Sequence, residues 1–103
     1  MVDHELNELK REFLDEALEK VVEMQSALDQ TPDRASLDRL AYLAHQLKGS
    51  GGSYGYQRIS DDAAELEKVV ESMADGGTPQ EEKIHQFVLN LRSEIDRAAR
   101  ELR

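Results

Sequence analysis

The stretch Leu43-Ala44-His45-Gln46-Leu47-Lys48-Gly49-Ser50-Gly51-Gly52-Ser53-Tyr54-Gly55 places one histidine among residues that cannot crowd it. At about 100° per residue, Leu37, Leu40, Ala44, Leu47, Gly51 and Tyr54 fall on one stripe that must face a core. His45 then lies roughly 140° from the middle of that stripe and points to solvent. Its neighbours one and two turns on are Lys48, Gly49 and Gly52, with Ala41 and Tyr42 behind it. An imidazole with this exposure and clearance is a place where another protein docks. Its ring also has the room needed to accept a phosphoryl group by in-line attack, giving a phosphoramidate reactive enough to pass the group on.

The elements must first put that ring where it can work. Gly49, Gly51, Gly52 and Gly55 fall within seven residues, and each glycine costs a helix about 1 kcal/mol relative to alanine. Local propensity alone reads a loop with an incidental histidine. The unbroken apolar stripe argues for a helix, in which the glycines serve close approach by a partner or a neighbouring helix.

These residues carry a family resemblance. His45-Gln46-Leu47-Lys48-Gly49-Ser50, with Gly55 ten residues after the histidine, then Arg58-Ile59 and Glu65-Leu66-Glu67, resembles the signature of histidine-containing phosphotransfer (HPt) domains. The likeness runs from about Ala35 to Glu67. It implies that His45 is a phosphoryl acceptor, taking the group from a receiver-domain aspartate or a kinase and delivering it to a response-regulator aspartate. The magnesium site is then expected on the receiver, with no cofactor or metal held by this chain, so the protein is a carrier rather than a self-sufficient enzyme. Lys48 is expected to offset the phosphoryl charge, and Ala41, Tyr42, Gly49 and Gly52 to form the docking face for receivers and for a sensor or hybrid kinase. Ser50 is given no chemistry, and Gly55 is expected to end the helix with a positive φ. The sequence departs from the family pattern at Gly51 and Gly52, where serine or alanine is commoner. It departs again at Glu67, where some members have glutamine, and an acidic group there is not expected to stabilise phosphohistidine.

Three other readings compete. A kinase dimerisation helix also displays a phosphorylatable histidine, but Gln46 stands where such helices have an acidic residue, and no phosphate-cradling glycine loop precedes a helix in the required order. A carboxylate-bridged metal bundle needs two Glu-x-x-His elements and two further inward glutamates. Only Glu82-Lys83-Ile84-His85 fits, with Glu82 opposite the apolar stripe, so His85 and His4 read as surface histidines. The third is a helical adaptor that docks receivers or kinases without carrying phosphate, to be separated by the effect of His45→Gln.

Composition bounds the rest. At 103 residues the chain is read as one domain, 1–103, with a core burying somewhat over about 60% of its unfolded surface. Twenty-two acidic against 13 basic residues give a net charge of −9, which opposes binding to nucleic acid or anionic lipid. The absence of cysteine excludes disulfides and thiolate metal sites and suits a reducing compartment, here the cytoplasm. No apolar run is long enough to cross a bilayer. The opening Met1-Val2-Asp3-His4-Glu5 has neither a basic end nor an apolar stretch, so no signal peptide is expected.

Four amphipathic segments are predicted, and nothing alternates like a strand. The first carries Leu6, Leu9, Phe13, Ala17, Val21, Met24 and Leu28, widened by Leu14, Leu18 and Val22. A break near its start would add a short extra N-terminal helix. The histidine helix follows Thr31-Pro32-Asp33, with Thr31 or Asp33 as cap and Pro32 early in the helix. The third carries Ile59, Ala63, Leu66, Val70 and Met73, capped by Ser60 and ended by Gly76-Gly77. Thr78-Pro79-Gln80-Glu81 reads as a capping box before Ile84, Phe87, Val88, Leu91, Ile95, Ala98 and Leu102. Short connections predict an all-α, antiparallel up-down four-helix bundle that closes its own core as a monomer.

Overall fold

A computed structural model describes residues 4–29 and 33–102. It contains α1 (His4–Leu28), α2 (Arg34–Ser53), α3 (Gln57–Ala74) and α4 (Glu81–Glu101). Each helix packs on its two neighbours in a closed ring, and no diagonal pair of helix backbones comes within 8 Å among the described residues. The pairing is antiparallel throughout. Arg39 of α2 reaches Glu23 of α1, Arg34 at the start of α2 reaches Ala74 at the end of α3, and Arg92 of α4 reaches Gln25 of α1.

The predicted stripes close on one core, in which Leu14, Met24, Leu40, Leu47, Leu66, Ile84 and Leu91 are almost wholly buried and no polar residue joins them. α1 is continuous from His4, so there is no separate N-terminal helix among the described residues. Leu6, Leu9 and Val22, expected in the core, are exposed. For the two leucines the reason lies at Phe13, which stacks on Tyr54 and Tyr56 at the turn joining α2 to α3. The neighbouring helices end at that level, so the first turns of α1 run past the core. Val22 lies to the side of the Ala17, Val21 and Met24 stripe.

The caps were only partly foreseen. Asp33 caps α2, its Oδ1 accepting from Ser36 N–H at 2.8 Å, and that bond holds the carboxyl below its usual pKa. Thr31 and Pro32, and the opening Met1-Val2-Asp3, lie outside the described residues. Ser60 does not cap α3, which begins a turn earlier at Gln57 after Tyr56. The capping box at Thr78 does not form either: α4 starts at Glu81 behind Gln80, with no side-chain cap. Gly76, at φ 88°, ends α3 through bonds from its own N–H to Met73 O and from Gly77 N–H to Ser72 O.

Candidate functional site

α2 persists through its glycines to Ser53. Its end is a double-bonded turn in which Gly55 N–H donates to Gly52 O and Tyr56 N–H to Gly51 O, with Gly55 at φ 83° as expected. The helix is kept by its fit to α3. A Cβ on Gly51 would stand 3.2 Å from Ser60 N and 3.4 Å from Ile59 Cγ2, so the two backbones approach to a distance that only glycine fills without displacement. Ser60 adds a bond from its hydroxyl to the carbonyl of Lys48 at 2.8 Å. The start of α3 is thereby fastened beneath the exposed face of α2.

His45 stands on that face with 65% of its side chain exposed. Its Nδ1 lies 2.8 Å from Oε2 of Glu67 on α3. Oε1 of the same carboxylate accepts from Lys48 Nζ at 3.3 Å. Glu67 is only 14% exposed, so it sits in the seam between the helices with one oxygen on His45 and the other on Lys48. A carboxylate only accepts, so Nδ1 must donate, and the ring's lone pair is then on Nε2.

The other site residues fall as follows. Lys48 is half-buried on the flank toward α3 and Ala41 is half-buried behind the histidine. Tyr42 is 52% exposed. Gln46 donates to its hydroxyl at 2.8 Å, and the Arg39 guanidinium lies 5.4 Å from its ring centroid. A Cβ on Gly49 would meet nothing within 4 Å, and one on Gly52 only Ser60 Oγ at 3.6 Å. His45, Lys48, Tyr42, Gly49 and Gly52 therefore share one outward face, with Ala41 at its inner edge.

Two residues were missed. Glu67, a departure from the family pattern to which no contact was assigned, bonds both His45 and Lys48; its place beside Leu66, at the edge of the α3 stripe, is the available signal. Ser60 was assigned to the wrong partner because its polarity suited a helix start. Glu82 and His85 are both exposed. Among the described residues no three metal-ligating side chains gather, and no helix is long and apolar enough to cross a membrane.

The family model for the Hpt domain matches residues 8–101, nearly the whole chain. No curated protein and no solved structure gives a significant match.

Proposed function

The chain belongs to the Hpt-domain family, a family of histidine phosphotransfer in phosphorelays, and on that footing we propose that it is a phosphocarrier with His45 as the acceptor. His45 takes the phosphoryl group from a receiver-domain aspartate or a kinase and passes it to a response-regulator aspartate. The observation that carries this reading is the exposed ring whose Nδ1 is committed to Glu67, leaving Nε2 open.

The Nε2 lone pair attacks phosphorus of the aspartyl phosphate in line. The N–P bond forms, the P–O bond to aspartate breaks, and the aspartate leaves as a carboxylate. The ring now carries the phosphoryl group on Nε2 and a proton on Nδ1, and Glu67 offsets the positive charge that develops on it. Lys48 keeps two further donors while it bonds Glu67, so it can also meet a phosphoryl oxygen. Ala41, Tyr42, Gly49 and Gly52 provide the surface against which the partner's active site is laid. In this reading the receiver supplies magnesium, which neutralises charge on the transferring group. The chain itself is a carrier rather than a self-sufficient enzyme. Its closed helix ring supports a monomer, and its lack of cysteine suits the cytoplasm.

The test is incubation of wild type and His45→Gln with a panel of phosphorylated receiver domains, read by intact mass. An acid-labile, alkali-stable phosphoryl group on wild type alone is the expected result. No labelling by any receiver, with His45→Gln folded and still binding them, would show a docking adaptor instead.

A further inference from the structure

A groove of about 440 Å³ runs between α1 and α2 immediately beside His45. Its α2 wall includes Tyr42 and Gln46, three residues before and one after the histidine, and its α1 wall includes Glu16, Glu19 and Glu23. Glu23 is already engaged, since Arg39 bonds both its oxygens. Glu16 and Glu19 make no side-chain hydrogen bond or ion pair among the described residues, and Lys20, the cation of the same wall, pairs with neither. On the opposite flank of His45 the carboxylate is not open, because Glu67 is mostly buried and holds both His45 and Lys48.

We propose that this groove extends the docking face and selects the receiver by charge, taking a lysine or arginine of the partner against Glu16 and Glu19. The proposal rests on the phosphocarrier reading and names what that reading leaves open, the character of the partner's surface. Around His45 the face is built of Ala41, Tyr42, Gly49 and Gly52, which give contact area, and its charged neighbour Lys48 is already bonded to Glu67. Open carboxylates at one edge supply discrimination by charge, since complementary charge speeds encounter and fixes register while like charge across a contact is rejected. The groove lies on the Tyr42 and Gln46 side of His45, so it also sets the rotation of the partner about the ring. Tyr42, held by Arg39 and Gln46, forms a wall shared by face and groove and needs no reordering when a partner arrives.

The experiment begins with a receiver domain found to label His45 of the wild-type chain. Binding and labelling rate are then measured at low and high salt for wild type, for Glu16→Lys/Glu19→Lys, and for Glu81→Lys/Glu82→Lys, which makes the same charge change at the far start of α4. Thermal melts establish that each variant is folded. The expected result is an association rate about tenfold lower for the groove variant at low salt, a difference that shrinks at high salt, and less than about a twofold change for the α4 variant. Reversing a basic residue of the receiver should restore the groove variant selectively. Equal effects of the two charge changes, or none from the groove variant, overturn the proposal while the carrier reading stands. Failure of every receiver to label wild type overturns both.

Discussion

Glu67 on α3 holds Nδ1 of His45 on α2 at 2.8 Å, across the seam between the two helices. An acidic group at this position is not expected to stabilise a phosphorylated histidine. The carboxylate lies on the Nδ1 side of the ring and is shared with Lys48, which leaves Nε2 clear of it. A neutral amide could orient the ring by donating or by accepting. A carboxylate can only accept, so it selects one tautomer.

Glu67→Ala should therefore slow phosphoryl transfer to His45 by about 10- to 100-fold, the scale of losing position without losing the nucleophile. Glu67→Gln should fall between that variant and wild type. Nitrogen chemical shifts of the ring give the readout that a purely structural role would not move. In wild type the Nδ1–H tautomer should dominate, and in Glu67→Ala both tautomers should be populated. An unchanged tautomer ratio would show that the carboxylate does not set it.

The two glycines at 49 and 51 should behave in opposite ways. Gly49→Ala should stabilise the protein by about 0.5–1 kcal/mol, because its Cβ meets open space and alanine is the better helix former. Gly49→Leu should also fold, and should slow transfer from a receiver by about tenfold through obstruction of the docking face. Gly51→Leu should destabilise by roughly 1–3 kcal/mol through its clash with α3. Chemical denaturation and labelling rates, measured on the same samples, separate the two effects.

A third prediction concerns Glu94 on α4. Burial and the neighbouring carboxyl of Asp62 on α3 push its pKa from 4.5 up to about 8, against the opposing pull of Arg58 and Arg97. Its Oε2 is buried with no donor in reach, so it bonds Asp62 only when one of the two carboxyls carries a proton. The folded state holds that proton more tightly than the unfolded chain does. Its contribution to stability is thus complete below about pH 4.5 and is lost as pH rises toward about 8. Glu94→Gln removes the dependence, and its melting temperature should overtake that of wild type by on the order of a few degrees as pH rises through this window. Parallel melting curves for the two proteins across the window would show that Glu94 ionises normally.

Periodicity made the four helices and most of the core legible. It carried α2 through Gly49, Gly51 and Gly52, where propensity alone gave a loop, because Leu40, Ala44 and Leu47 continue one face. Periodicity could not say where a neighbour stops, so Leu6 and Leu9 were placed in a core that ends at Phe13. The caps at Ser60 and Thr78 failed for a related reason: a hydroxyl near a helix start has other acceptors, and Ser60 found the carbonyl of Lys48. In the site, His45 and its bare surroundings could be read from α2 alone. The position of Glu67 could be read too, but not its bonds, since these depend on the register between α2 and α3.

The inward turn of Nδ1 has a kinetic consequence. On the phosphocarrier reading, a single open nitrogen receives and surrenders its cargo through the same doorway. Donor and acceptor cannot occupy it together, so each turnover must alternate between them with the charged protein released in between. Two visitors that share one doorway therefore compete for it, and each slows the other by its presence.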